Sequence, residues 1–205
     1  MPPGVRRTAA PGDGSVRPVR IAVLASGSGT ILDAILTDGI PVEVVVVDRP
    51  CAATAVAEGH RCPAFVLERS SYGTEFDRVA YTERIVDLLD EHDIDLVVMA
   101  GFGTILAKPI FDRFAGHLVN THPALLPSFP GWHAVEEALA YGVKVTGCTV
   151  HVATEEVDSG PILAQEAVVV HPDDTVESLH ERIKTVERHL YIQTIHEILE
   201  RGSVQ

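Results

Sequence analysis

Val19-Arg-Ile-Ala-Val-Leu-Ala25, Ser26-Gly-Ser-Gly-Thr30 and Ile31-Leu-Asp-Ala-Ile-Leu36 follow one another without a break, and their order decides the fold. The first run is short and apolar, as a strand buried on both faces must be. The glycines that follow permit a tight turn. Ile31, Leu32, Ile35 and Leu36 then recur at helical spacing, so the segment reads strand, glycine turn, helix.

Outward from this unit the pattern repeats. Val42 to Val47 is a second apolar run after Gly39 and Pro41, and the alanine-rich Cys51 to Glu58 favours a short helix. Phe76 to Leu89 sets Val79, Ile85, Leu88 and Leu89 among charges, an amphipathic helix leading into a strand at Leu96 to Met99. Three apolar strands alternating with helices predict a parallel sheet covered on both faces, with right-handed crossovers. A strand near His117 to Asn120 runs into the proline-rich Pro123 to Pro130, and Ala134 to Ala140 reads as a helix. Val145 to Val152 and Ile162 to Val170, joined by the polar Ala153 to Pro161, can pair antiparallel. Asp174 and Glu177 read as a capping box. Leu179, Ile183, Val186 and Leu190 form the apolar stripe of a long last helix that stops near Gly202.

The 205 residues, 46% hydrophobic, suffice for one substantial core, and one catalytic domain over residues 19–205 is expected. Residues 1–18 are rich in Pro, Gly and Arg and read as a flexible extension without the apolar core of a secretory signal. A formal charge of -13 argues against a nucleic-acid partner, which needs clustered cations. No apolar run approaches the length of a membrane span. Cys51, Cys62 and Cys148 lack the close pairing of a zinc or redox motif, and a reducing cytoplasm is the expected compartment. Small molecules are the expected partners. The sequence is compatible with a homodimer without specifying one.

Two constellations point to chemistry. The amides of Gly27-Ser-Gly-Thr30, at a helix start, suit an anion such as phosphate. Leu32 stands where a dinucleotide fingerprint wants its last glycine, although Asp48 at the next strand end leaves a ribose contact open, and a turn with no ligand is the plain alternative. The second is Asn120-Thr-His-Pro-Ala-Leu-Leu-Pro-Ser-Phe-Pro-Gly131, at the carboxyl end of a strand, where open α/β sheets bind ligands. Asn120 offers a neutral donor and His122 a proton carrier, two residues apart and so on one face of an extended chain. Read alone, such a histidine is more often structural. Asp158, in Thr154-Glu-Glu-Val-Asp-Ser-Gly-Pro161, supplies a carboxylate to hold the imidazole, with a simple turn role as its alternative.

Together with His133, Gly147-x-Thr-Val-His151 and Asp158-x-Gly-Pro161, in this order and spacing, these motifs resemble the glycinamide ribonucleotide formyltransferase family from about Val19 to the last helix. The resemblance implies a doubly wound, mostly parallel α/β sheet of about seven strands with an antiparallel edge and helices on both faces. It implies formyl transfer from 10-formyltetrahydrofolate to the amine of glycinamide ribonucleotide, in purine synthesis, with no metal and no covalent enzyme intermediate. Asn120 would stabilise the tetrahedral oxyanion, His122 would move the proton and Asp158 would support it. Gly29, Thr30, Ile31, Lys184 and Glu187 would hold the nucleotide. The folate would lie along Gly103, Thr104, Ile105 and Leu106 and along Thr154, Glu155, Glu156, Val157 and Asp158, sharing Asn120, with Arg78 meeting its glutamate tail. His133 and His151 rank below the triad. Ile31 replaces an asparagine common in the family, and Gly103-Thr104 replaces Met-Arg.

Rivals are a deformylase of the same fold, expected to need a further N-terminal domain, and a methionyl-tRNA formyltransferase, expected to add a C-terminal nucleic-acid-binding domain. A nucleotide-binding module without chemistry would leave Asn120, His122 and Asp158 dispensable.

Overall fold

Ile21–Ala25 forms β1 with all five side chains buried, as a strand covered on both faces must be. The computed structural model describes residues 17–71 and 73–205. After β1 come α1 (Thr30–Thr37), β2 (Val42–Val47), α2 (Ala52–Gly59), β3 (Ala64–Val66), α3 (Arg78–Glu91), β4 (Leu96–Ala100), α4 (Lys108–Arg113) and β5 (Leu118–His122). The chain continues through α5 (Ala134–Tyr141), β6 (Val145–Val152), β7 (Ile162–Val169) and α6 (Val176–Arg201). The expected extension lies outside the described residues except for Arg17 and Pro18, and Arg17 already forms a two-pronged pair with Asp95 at 2.6 and 2.7 Å.

One seven-stranded sheet runs β3-β2-β1-β4-β5-β6-β7. Pairing is parallel from β3 through β5, and β6 and β7 add an antiparallel edge. Successive side chains of a strand point to opposite faces, and β1 serves two cores in this way. Ile21, Val23 and Ala25 pack with Leu32 and Ile35 of α1 and Ile183, Tyr191 and Ile195 of α6. Ala22 and Leu24 pack with Tyr81, Ile85 and Leu89 of α3 and Ile110 of α4. The expected fold class is therefore present.

Local expectations are corrected in three places. β3 carries no pattern of its own: it is three residues on the sheet edge, with Phe65 38% and Val66 42% exposed. α4, a short helix with Pro109 in its first turn, was not foreseen either. The capping box of α6 is Thr175 with Ser178, each side chain bonding the other's amide, and not Asp174 with Glu177. Asp174 is committed elsewhere, accepting from the His171 amide at 2.7 Å, from the Ser178 hydroxyl at 2.8 Å and from the Arg182 guanidinium. Its carboxyl is accordingly held well below the ordinary carboxylate range, the Arg182 hydrogen bond being the largest cause.

Candidate active site

The strand order reverses between β1 and β4. Chains leaving the carboxyl ends of neighbouring strands diverge at such a point and leave a crevice. A cavity of about 580 Å³ occupies it, walled by the turn after β1, the segment after β4, the end of β5, the 153–158 loop and one face of α6. The turn needs its glycine: Gly29 has φ 74, and a Cβ there would lie 2.8 Å from the Ala53 backbone of α2. Gly29 is also the N-terminal flank of α1, so the amides of the first turn of that helix face the cavity end lined by Thr30 and Ile31.

The chemical centre is built on β5 and β6. Asn120 and His122 lie within β5, two residues apart on one side of the strand. His122 is 5% exposed. Its Nε2 donates to the Phe129 carbonyl at 2.8 Å, and its Nδ1 stands 3.3 Å from Asp158 Oδ2. Asp158 also accepts from the Gly131 amide at 2.8 Å, which ties the 153–161 loop to the proline-rich loop. Asp158 itself has φ 56, a left-handed conformation that the short polar Asp and Asn side chains enter more readily than others. Nearby Gly160 is required by close approach, since a Cβ would sit 1.8 Å from the Val152 carbonyl oxygen.

Antiparallel pairing sets His151 of β6 directly across from Asn120. The His151 Nδ1 donates to the Val152 carbonyl at 3.1 Å, which leaves Nε2 as an acceptor 3.5 Å from the Asn120 amide nitrogen and 3.6 Å from Asp158 Oδ1. Burial lowers the pKa of this imidazole, and the neighbouring His122 adds to the effect, against the opposing pull of the Val152 carbonyl and Asp158. A neutral ring with a lone pair on Nε2 is the form that accepts from an amide. His151 therefore orients Asn120, a part that its low ranking in the sequence underrates. The sequence carried part of the signal, a histidine in the apolar run of β6, while the register that sets it opposite Asn120 comes from the pairing of β5 with β6.

The proline-rich loop is held by β6 and β7. The Thr149 hydroxyl donates to the Ala124 carbonyl at 2.7 Å and accepts from the Leu126 amide at 3.1 Å, while Gln165 Nε2 donates to the Leu126 carbonyl at 2.9 Å.

α6 contributes His180, Lys184 and Glu187 to the cavity wall, positions that share a helix face. Lys184 Nζ lies 2.7 Å from Glu181 Oε1. Glu187 is 6% exposed and accepts from the Thr121 hydroxyl at 2.9 Å. Burial raises its carboxyl pKa above the ordinary range, opposed by that hydrogen bond and by the charges of Lys184 and Arg188. Burial, aided by Lys184, lowers the pKa of His180, a wall residue absent from the expected set. One turn beyond Glu187, the buried Tyr191 hydroxyl reaches the Met99 and Val119 carbonyls at 3.1 and 2.9 Å, fixing α6 against β4 and β5.

Asp48 is not free for a ribose. It is 1% exposed and is engaged by Arg49 at 3.0 and 3.2 Å and by the Thr104 hydroxyl at 2.7 Å. Burial pushes its carboxyl up, but the hydrogen bonds from Arg49, Thr104 and Ser26 outweigh that and leave it below its ordinary value. The adjacent Gly103 amide donates to Ser26 Oγ at 2.6 Å, so the segment after β4 is stitched to the turn after β1.

Every residue expected in the site lines this one cavity except Arg78 and Glu156. Arg78 is exposed at the first position of α3, and Glu156 is exposed on its loop. His133 is also outside the lining, exposed and paired with Glu136. A second hollow of about 420 Å³, between Asp38 and the outer face of α6, holds none of the motif residues. Cys62 and Cys148 are buried free thiols, and burial pushes Cys148 up to about 12, which suits an inert core residue. Among the described residues no cluster of His, Cys, Asp and Glu has the makings of a metal site, and no helix is long and apolar enough to cross a membrane.

The family model described as formyl transferase matches residues 19–195. Phosphoribosylglycinamide formyltransferase of Mycobacterium tuberculosis is 44% identical over 190 residues, 90% of this chain and 87% of that protein. The crystal structure of phosphoribosylglycinamide formyltransferase from Bacillus halodurans superposes with a TM-score of 0.82 at 38% identity, covering 90% of this chain and 97% of that one. A formyltetrahydrofolate deformylase from Pseudomonas syringae pv. tomato also superposes with a TM-score of 0.82, at 26% identity and over 62% of its own length.

Proposed function

The chain belongs to the formyl transferase family, and on that premise we propose that it passes a formyl group from 10-formyltetrahydrofolate to the primary amine of 5-phosphoribosylglycinamide, in de novo purine synthesis. The observation that carries the proposal is the meeting of Asn120, His122 and Asp158 in the same cavity as the α1 N-terminus and Lys184. Residues 19–205 serve as one catalytic domain in this reading.

The walls fit both substrates. At one end the Gly29, Thr30 and Ile31 backbone, the α1 N-terminus and Lys184 provide donors and positive charge for a phosphate. Glu187, which lines the same cavity, would accept from the ribose hydroxyls. At the other end Ile105, Leu106, Phe111 and Val157 offer an apolar slot, and the backbone of 101–104 and 153–158 supplies donors and acceptors for a flat heterocycle. Arg78 would serve the glutamate tail, from outside the cavity lining.

Between these ends, attack of the amine nitrogen on the formyl carbon forms a C–N bond and drives the carbonyl electrons onto oxygen. The Asn120 amide, held by His151, has a second N–H to aim at that oxyanion, where a fixed dipole is worth most. The ammonium nitrogen must then lose a proton, and the departing folate nitrogen must gain one. In this reading His122 carries both protons through its Nδ1, the ring nitrogen beside Asp158, since Nε2 is held by the Phe129 carbonyl, and the Asp158 carboxylate stabilises the ring when it is doubly protonated.

The test is purified protein with both substrates, scoring formylated ribotide against released formate. Formylated ribotide supports the proposal. Formate without it would assign water as the acceptor and make the chain a deformylase.

A further inference from the structure

We propose that Trp132 is the aromatic wall against which the flat ring system of the formyl donor is held, and so a specificity-determining residue that the motifs around it do not include. The inference rests on the functional reading above.

Trp132 lines the reaction cavity, yet 79% of it is exposed. An indole is the largest apolar side chain, and no ring, cation or hydrogen bond among the described residues engages this one. It is not a loosely tethered surface group. Gly131, immediately before it, is fixed through its amide to Asp158, and Phe129 is held both by its carbonyl to His122 and by its ring against Tyr141, with centroids 6.0 Å apart. Phe129 has φ 55 and Gly131 φ 95, so the backbone leading to the indole is bent through two left-handed residues that these bonds stabilise.

Two further apolar side chains of the same cavity, Ile105 and Val157, are 52% and 49% exposed. Three large apolar groups left open around one cavity mark a surface that a ligand covers. The ligand must be flat, because an indole face rewards stacking and loses only two torsions on being ordered. A phosphoribosyl glycinamide has no aromatic ring, whereas a pterin donor has two ring systems. The donor is therefore the partner.

Trp132 is the only tryptophan in the chain, so intrinsic emission reports on this position alone. The probe is a deaza analogue of the donor that cannot transfer its formyl group, with its binding followed independently by calorimetry. The acrylamide quenching constant, taken from lifetimes, is expected to fall at least threefold when the analogue saturates the protein and to stay unchanged with the ribotide alone. Trp132→Ala is expected to raise the donor KM roughly tenfold, with kcat and the ribotide KM within about twofold, and Trp132→Phe to recover most of the loss. Unaltered acrylamide access under saturating analogue, an unchanged donor KM in Trp132→Ala, or a change of sedimentation in that variant would each overturn the assignment. A wild-type protein that turns over no ribotide would instead sink the functional reading, while the shielding measurement still reports whether a flat ring covers the indole.

Discussion

Asn120 of β5 faces His151 of β6 across an antiparallel pair, its amide nitrogen 3.5 Å from a buried imidazole nitrogen that can only accept. The contact turns Asn120 from a freely rotating amide into a fixed dipole. His151→Phe keeps the site filled and removes the acceptor. Its kcat is expected to fall roughly ten- to a hundredfold with both KM values little changed, since the lost interaction matters in the transition state. Steady-state kinetics decide it: unchanged kcat would detach His151 from catalysis.

His122→Ala removes the proton carrier. The expected loss in kcat is at least about a hundredfold, while ribotide affinity, measured by calorimetry, is retained because the phosphate turn and α6 are untouched. Wild-type turnover in this variant would take His122 out of the mechanism.

Asp158→Asn is the informative change at that position, because asparagine tolerates the left-handed backbone of Asp158 and keeps one acceptor oxygen for the Gly131 amide while the charge is lost. Turnover is expected to drop about tenfold or more, and the pH dependence of kcat to change shape, since the imidazolium loses its counter-charge. A pH profile that superimposes on the wild type would argue that Asp158 serves the loop alone.

Glu187→Gln gives a pH-dependent gain in stability. The native carboxyl is raised above its unfolded value, so the folded state binds the proton more tightly, and wild-type stability falls as pH rises from about 4 through the raised native value. An amide at this position cannot titrate. Thermal melts are therefore expected to show the variant gaining on wild type as pH is raised above about 4, with ribotide affinity reduced. A melting difference that is constant with pH would contradict the assignment.

Thr104→Val leaves the buried Asp48 without its shortest hydrogen bond. A stability loss of about 1–2 kcal/mol in denaturant melts is expected, together with a higher donor KM as the 101–106 segment loosens, and Thr104→Ser should restore both. If valine is neutral in both assays, Thr104 does not position that segment.

The strands and helices with a strong pattern were legible in the chain: β1, β2, β4 and β6 bury most of their apolar runs, and α6 buries Leu179, Ile183 and Leu190 of its expected stripe with Val186 partly covered. β3 and α4 were not, because three and six residues are too few to express a period, and their neighbours settle their conformation. The shifted capping box has a similar origin. Asp174 and Thr175 are both good caps by residue type, and the distant Arg182 and the His171 amide claim Asp174.

The sequence by itself determined the alternation of buried strands and helices, the glycine turn at a helix start and the Asn-x-His pair on one strand face, since these depend on backbone preference and on spacings of a few residues. Only the tertiary structure decided that Asp158 and His151 reach that pair from a loop and a strand remote along the chain, and that Asp48 turns inward to Thr104. It also decided that the indole of Trp132 is left bare at the cavity. Those outcomes depend on strand register and loop anchoring, which arise from packing between segments that sequence spacing does not connect.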